Sequence, residues 1–118
     1  MGVAYYANYL AFFESGRVEA MRGIGADYAC VVRRGVHLPV VEAQVRYRQA
    51  AQFDDLLLVH TRADDVRGAR FTFRYEIVRE RDGAPIASGY TVHACIDAGS
   101  MRAVRLPDWL RTDLARLA

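Results

Sequence analysis

The sequence predicts an α+β fold in which a curved antiparallel sheet wraps around one long central helix. Apolar residues recur at helical spacing through residues 5–24. Four later segments alternate apolar and polar residues with the period of two that is typical of strands. The links between these segments are short, which favours antiparallel pairing over crossover connections.

The long helix is predicted over residues 5–24, and it is apolar on nearly every face in its first half. A helix of that kind is typically buried on several sides. Gly16 and Ala20 lie one turn apart and predict a face that the sheet approaches closely. A short second helix is predicted over residues 27–34, with Asp27 as its N-cap.

The strands and the last helix follow in order. The first strand alternates cleanly and is predicted to be half-buried, whereas the second is more continuously apolar and is predicted to be covered on both faces. An Arg-Asp-Gly sequence between the third and fourth strands indicates a hairpin. Pro107 begins a final amphipathic helix. The predicted strands are residues 41–47, 56–63, 71–78 and 86–97.

Length and composition bound the class of protein. The 118 residues are enough for one domain with a real core, and 53% apolar with 25% charged residues is an ordinary globular mixture. Cys30 and Cys95 fit no metal-ligand spacing and lie in apolar sequence, which predicts two free thiols in a reducing compartment. No signal peptide or bilayer-spanning run is recognised, so we expect a cytoplasmic protein without a metal site.

The opening of the sequence carries a motif that continues through the chain. On this motif the chain is identified as a member of the hotdog-fold acyl-CoA thioesterases, and it is most similar to the 4-hydroxybenzoyl-CoA thioesterase-like branch, which includes the Tol–Pal-associated thioesterases. The matching residues are Gly2-Val3-Ala4-Tyr5-Tyr6-Ala7-Asn8-Tyr9-Leu10, Phe12-Phe13-Glu14, Arg17, Leu38-Pro39-Val40-Val41-Glu42-Ala43, Val45-Arg46-Tyr47, Phe53-Asp54-Asp55 and Tyr90-Thr91-Val92-His93.

This resemblance implies a fold, an assembly and a reaction. It implies the hotdog fold, homodimers that join their sheets edge to edge, and often homotetramers. The active site would lie at the dimer interface and would hydrolyse an acyl-CoA thioester to the free acid and coenzyme A. Coenzyme A enters as part of the substrate, and no other cofactor is implied. A carboxylate would act as nucleophile or general base, while backbone N–H groups at the start of the long helix polarise the thioester carbonyl.

The resemblance also places the catalytic aspartate three positions before the glycine that matches Gly2, which is before Met1. The first strand of the family's sheet precedes that aspartate. Because the rest of the motif is intact, we expect the native chain to start earlier, so that residues 1–118 form a single hotdog domain lacking its first strand. The alternative is a non-catalytic hotdog protein that binds acyl-CoA or a protein partner.

Three residues are candidates for catalysis. Tyr6 would donate its backbone N–H to the carbonyl, although its side chain also suits packing against the sheet. Asn8 would orient the active-site turn or serve as an ordinary N-cap. Glu14 is a carboxylate on an otherwise apolar helix, and it either acts in catalysis or pairs with Arg17 one turn further on.

Five residues are candidates for substrate binding. Gly2 and Val3 belong to the opening motif, and Tyr9 would line the acyl pocket or pack in the core. Arg46 and Arg48 share one face of a strand, where they would hold the phosphates of coenzyme A or lie in solvent.

Other functions are less well supported. The net charge is only +2, and the arginines alternate with acidic residues, which disfavours nucleic-acid binding. A hotdog dehydratase requires an Asp/His pair that is not recognised here. The serines lie in no nucleophile-elbow motif, and the three histidines fall on separate predicted elements, where a structural role is expected.

Overall fold

The computed structural model describes residues 7–52 and 54–118, except the side chains of Ala7 and Asn8. These residues form two helices, then six strands, then a last helix. The elements are α1 (Ala7–Gly23), α2 (Tyr28–Arg33), β1 (Val36–His37), β2 (Val40–Tyr47), β3 (Leu57–Arg67), β4 (Arg70–Arg79), β5 (Pro85–Ala94), β6 (Ile96–Asp97) and α3 (Asp108–Ala115).

The main sheet is antiparallel throughout, in the strand order β2-β5-β4-β3. The four predicted strands and their antiparallel pairing are confirmed, with one difference. The fourth predicted strand is broken at the buried Cys95, and its last two residues form β6, which pairs with β1 in a separate two-stranded ribbon. β3 is also longer than predicted, because a bulge between Asp64 and Arg67 carries it on to the Gly68 turn.

The core lies between α1 and one face of the main sheet, which we call the inner face. Phe13 of α1 stacks on Tyr75 of β4 with ring centroids 4.3 Å apart, and both side chains are buried. The predicted close approach at Gly16 is confirmed, because a Cβ atom there would lie only 2.6 Å from Oγ1 of Thr61. Gly89 has the same function on β5, where a Cβ would overlap the backbone carbonyl of Gln44.

Helix α1 is buried on fewer sides than predicted. Leu10 and Val18 are 46% and 42% exposed. The reason is that α1 packs mainly over β3 and β4, so few of the described residues cover its flank towards β2. For the same reason β2 is not half-buried. Tyr47 points to the inner face but remains 48% exposed, and Val41, in the bulge of β2, is 49% exposed.

The expectation that β3 is covered on both faces is wrong. Leu58 is 42% exposed and lies on the outer face of the sheet, which no other layer of this chain covers within the described ranges. The inner-facing residue Ala63, by contrast, is buried.

The two shorter helices agree with the sequence. The carboxylate of Asp27 accepts a hydrogen bond from the backbone N–H of Cys30 at 2.8 Å, which is the predicted N-cap. α3 begins directly after Pro107 and buries Leu110 and Leu114 completely. None of the helices in the described part of the chain is long and apolar enough to cross a membrane.

Candidate functional site

The exposed side of α1 and the inner face of β2 border a largely apolar surface, which we call the α1–β2 cleft. Its wall is the exposed stripe of α1 formed by Leu10, Glu14 and Val18, which lie four residues apart and therefore share one side of the helix. Its floor is the inner face of β2, where Ala43, Val45 and Tyr47 alternate. The cleft is thus largely apolar, with one carboxylate on its wall.

One end of the cleft is formed by the start of α1. Tyr9 is 2% exposed, and its ring lies 5.4 Å from that of Tyr47 and 6.0 Å from that of Phe12. These contacts hold the first turn of the helix against the end of β2. The positive end of the helix dipole therefore lies beside the floor of the cleft, where it favours developing negative charge.

The predicted site residues at the very start of the chain cannot all be placed. Gly2, Val3 and Tyr6 lie outside the described residues, as does the side chain of Asn8. Tyr9 is placed, and it is a core residue that borders the cleft. Its burial agrees with the packing alternative and still leaves its ring at the edge of the cleft floor.

The expected pair between Glu14 and Arg17 is not present. Glu14 is exposed and makes no ion pair or hydrogen bond with any described residue. Arg17 instead turns under the helix towards the sheet and Tyr75. Burial raises the pKa of the Tyr75 hydroxyl, while its hydrogen bond to Thr91 and the nearby guanidinium of Arg17 oppose this rise. The prediction fails because Arg17 lies about 60° around the helix from Glu14, on the side that faces the sheet.

Tyr75 is the first member of a network of buried, hydrogen-bonded polar side chains that crosses the inner face of the sheet. The Tyr75 hydroxyl lies 2.6 Å from Oγ1 of Thr91, which lies 2.8 Å from Nε2 of His93. Nδ1 of His93 lies 2.9 Å from the backbone carbonyl of Leu38. Thr91 and His93 are each 2% exposed.

The direction of each hydrogen bond in this network follows from its last member. A carbonyl oxygen can only accept, so Nδ1 of His93 carries the proton and donates to Leu38. Burial lowers the pKa of His93 to about 4, which leaves the ring neutral near pH 7, with Nε2 as acceptor. Thr91 must then donate to His93 and accept from Tyr75. Each hydrogen bond of this network is therefore donated in the direction away from Arg17.

This network is not among the predictions made from the sequence. His93 was expected to be structural, and neither Tyr75 nor Thr91 was a candidate. A signal was present in the alternation of β5, because Thr91 and His93 occupy the inward positions of a strand between apolar neighbours. Tyr75 is recognisable as their partner only from the pairing register of β4 with β5.

Arg46 and Arg48 are both exposed. Arg46 lies on the outer face of β2, and Arg48, just after the end of that strand, borders the same outer-face depression. They form no ion pair with other described residues, whereas Arg74 on the same face is held by Asp64 at 2.7 Å. A shallow depression of about 500 Å³ passes Arg46 and Arg48 on this face. The structure therefore brings the two arginines together, but it does not bring them into the cleft with Glu14.

An antiparallel sheet laid against one long helix, with an apolar cleft beside the start of that helix, defines a hotdog-fold protein of the thioesterase type. Comparison with known proteins agrees. Residues 1–114 match the family model of the thioesterase-like superfamily. The chain belongs to this superfamily, and its class of activity is thioester hydrolysis.

Individual relatives and structures support the same family. The acyl-CoA thioesterase YbgC of Haemophilus influenzae is 35% identical, over 90% of this chain and 77% of its own length. A hypothetical protein from Thermus thermophilus is 33% identical with a TM-score of 0.89, covering 100% of this chain and 88% of that one. A DHNA-CoA thioesterase from Staphylococcus aureus is 28% identical with a TM-score of 0.85, covering 98% and 79%.

Proposed function

We propose that this protein hydrolyses acyl-CoA thioesters in a cleft that two copies of the chain share. The observation that carries the proposal is the α1–β2 cleft, in which a helix N-terminus, an apolar floor and an exposed carboxylate lie beside an edge strand without a neighbour among the described residues. Relatives named acyl-CoA thioesterases support the choice of substrate class.

The shared cleft follows from the edge strand. Within the described residues β2 is one of the two edges of the sheet, and its exposed apolar side chains favour pairing with another strand. If β2 pairs antiparallel with β2 of a second copy, a two-fold axis relates the subunits and their α1 helices run antiparallel on the same face. The start of each α1 would then face the C-terminal half of the other. We propose this homodimer, with a homotetramer as its further assembly.

In the proposed reaction, the thioester carbonyl oxygen accepts hydrogen bonds from the N–H groups at the start of α1, which stabilise the oxyanion. Glu14 takes a proton from a water molecule as the water oxygen attacks the carbonyl carbon. The carbon–sulfur bond then breaks, and the coenzyme A thiolate leaves and takes up a proton. Arg46 and Arg48 would hold the coenzyme A phosphates through charge-assisted hydrogen bonds.

The cytoplasm is the proposed location. Cys30 and Cys95 are free thiols in the structure. Unpaired cysteines are typical of a reducing compartment.

The test measures thiol release from short-chain, long-chain and aromatic acyl-CoA esters. We expect turnover by the wild-type protein and at least a ~100-fold loss of kcat in Glu14→Gln, the size expected for removing a general base. Glu19→Gln is the matched control, because Glu19 is exposed on the same helix but forms an ion pair with Arg22.

Two outcomes would contradict parts of this proposal. Full activity in Glu14→Gln would exclude Glu14 as the catalytic carboxylate. Binding of acyl-CoA esters by folded wild-type protein without thiol release would favour the second candidate, a non-catalytic acyl-CoA-binding protein.

A further inference from the structure

A second, smaller pocket lies at the other end of α1, between its C-terminal half, α2 and the inner face of the sheet. We call it the Arg17 pocket. Its volume is about 90 Å³, and its lining is mainly apolar, with Met21, Val31, Leu38 and Phe73 surrounding the polar groups of Arg17 and His93. Pockets that enclose a whole small molecule are typically about 300–1,000 Å³, so this one has room for one end of a ligand.

The polar side of the Arg17 pocket is dominated by hydrogen-bond donors: the guanidinium of Arg17 and the hydroxyl of Tyr28, which can donate as well as accept. Both ring nitrogens of His93 are already engaged, one with Thr91 and the other with Leu38. Arg17 has five N–H donors and no acceptor, and within the described ranges no carboxylate lies within ion-pair distance of it. A half-buried guanidinium without a counter-ion favours an incoming anion or acceptor oxygen over a donor.

We propose that the Arg17 pocket takes the far end of the acyl group and selects acyl groups that carry a carboxylate or another acceptor oxygen at that end. This inference rests on the proposed shared cleft. Along a single α1, Arg17 lies ten residues from Ala7, about 15 Å, which is too far for a compact acyl group to span. In the β2-paired dimer, the pocket of one subunit faces the helix N-terminus of the other.

The chemistry of the pocket defines the ligand as a compact apolar body that ends in an acceptor oxygen. The apolar lining accepts the body, and a planar carboxylate matches the guanidinium fork in two parallel hydrogen bonds. A free carboxylic acid, such as the product of hydrolysis, carries the same groups. The two sources are distinguished by assaying coenzyme A esters and free acids separately.

The kinetic experiment compares 4-carboxybenzoyl-CoA with 4-methylbenzoyl-CoA, which are similar in size and differ in the terminal oxygens. We expect kcat/KM to favour the carboxy ester by about tenfold or more, as for a charge-assisted hydrogen bond. Arg17→Met should reduce this ratio to about one, and Arg17→Lys should retain part of it. Arg22→Met is the control, because Arg22 is exposed on the same helix and should leave the ratio unchanged.

The variant Tyr75→Phe tests whether the kcat/KM ratio falls merely because the structure around Arg17 is disturbed. This variant removes the hydroxyl beside Arg17 while keeping the guanidinium, so we expect it to retain the preference. A ratio that persists in Arg17→Met, or that falls equally in Arg22→Met, would overturn the proposal.

The binding experiment uses 4-methylbenzoate and its neutral isostere 4-methylbenzamide, with thermal unfolding as the readout. Stabilisation of the wild type by the acid alone, lost in Arg17→Met, supports an anion-reading pocket even if no ester is hydrolysed. That combination would refute the proposed thioesterase function and the link to the acyl group, but not the pocket. Equal stabilisation by acid and amide, or by neither, would refute the pocket itself.

Discussion

The buried histidine predicts how the stability of this protein depends on pH. Burial is the main reason that the pKa of His93 falls from 6.5 to about 4, and the nearby charge of Arg17 lowers it further. The ring is stacked on Phe71 with centroids 5.1 Å apart and meets Phe73 edge-on at 5.3 Å. Protonation would place a second cation beside Arg17 and would require Thr91 to reverse its hydrogen bond.

The direction and size of the effect follow from linkage. Between pH 6.5 and 4 the unfolded chain binds a proton at this histidine that the folded chain does not bind. The free energy of unfolding is therefore highest above pH 6.5 and falls as the pH is lowered towards 4. From pH 7 to pH 5 the loss is about 2 kcal/mol, which corresponds to a urea midpoint lower by about 1 M for a typical m-value.

The assay is urea unfolding at pH 7, 6 and 5, followed by circular dichroism. The aspartates with a lowered pKa remain ionised across this range, so they contribute only at lower pH; they are Asp55, Asp64, Asp82 and Asp97. His93→Gln removes the titrating group. Between pH 7 and pH 5 we therefore expect the free energy of unfolding of this variant to fall by about 2 kcal/mol less than that of the wild type. His60→Gln, on the exposed outer face, is the control and should behave like the wild type. An identical pH dependence in wild type and His93→Gln would refute the reasoning.

Three further predictions concern the edge strand, the outer face and the helix–sheet contact. Val41→Lys places a charge on the apolar edge strand, so sedimentation should show monomers and thiol release should be lost together. The double change of Arg46 and Arg48 to glutamine should raise KM for acyl-CoA esters more than it lowers kcat, because it removes binding to the phosphates and not to the reacting carbonyl. Gly89→Ala should lower the free energy of unfolding by about 3 kcal/mol in urea titration, because the new methyl group meets the carbonyl of Gln44 and the ring of Phe13.

Each of these predictions has a matched control. Leu58→Lys adds the same charge at an exposed leucine on the outer face and should leave the dimer intact. Arg102→Gln removes an exposed arginine elsewhere and should leave KM unchanged. Gly23→Ala meets no atom within 4 Å and should raise stability by up to about 1 kcal/mol. Monomers in Leu58→Lys, a raised KM in Arg102→Gln, or equal losses at Gly23 and Gly89 would contradict the respective explanation.

Much of the candidate site was visible in the sequence as a list of residues, but not as an arrangement. The spacing placed Glu14 on α1 and put Arg46 and Arg48 on one face of a strand. Spacing alone did not show that Arg17 turns away from Glu14, because the choice between an ion pair and the Tyr75 hydroxyl depends on which side of the helix the sheet covers.

The sequence by itself determined the order and type of the helices and of the four main strands. Periodicity is a local property, so the alternation of β4 specified its buried face, and the glycine at position 16 marked where a helix and a sheet approach each other. The Asp27 cap was equally local, since it joins residues three apart.

Only the tertiary structure decided which of these surfaces are covered. α1 lies over β3 and β4 and leaves the inner face of β2 open, although β2 has the alternating pattern of a half-buried strand. The tertiary structure also joined Tyr75, Thr91, His93 and Leu38, which come from different strands and a connecting segment. The cleft and the polar network depend on strand order and register, and these are set by long-range packing that no local pattern contains.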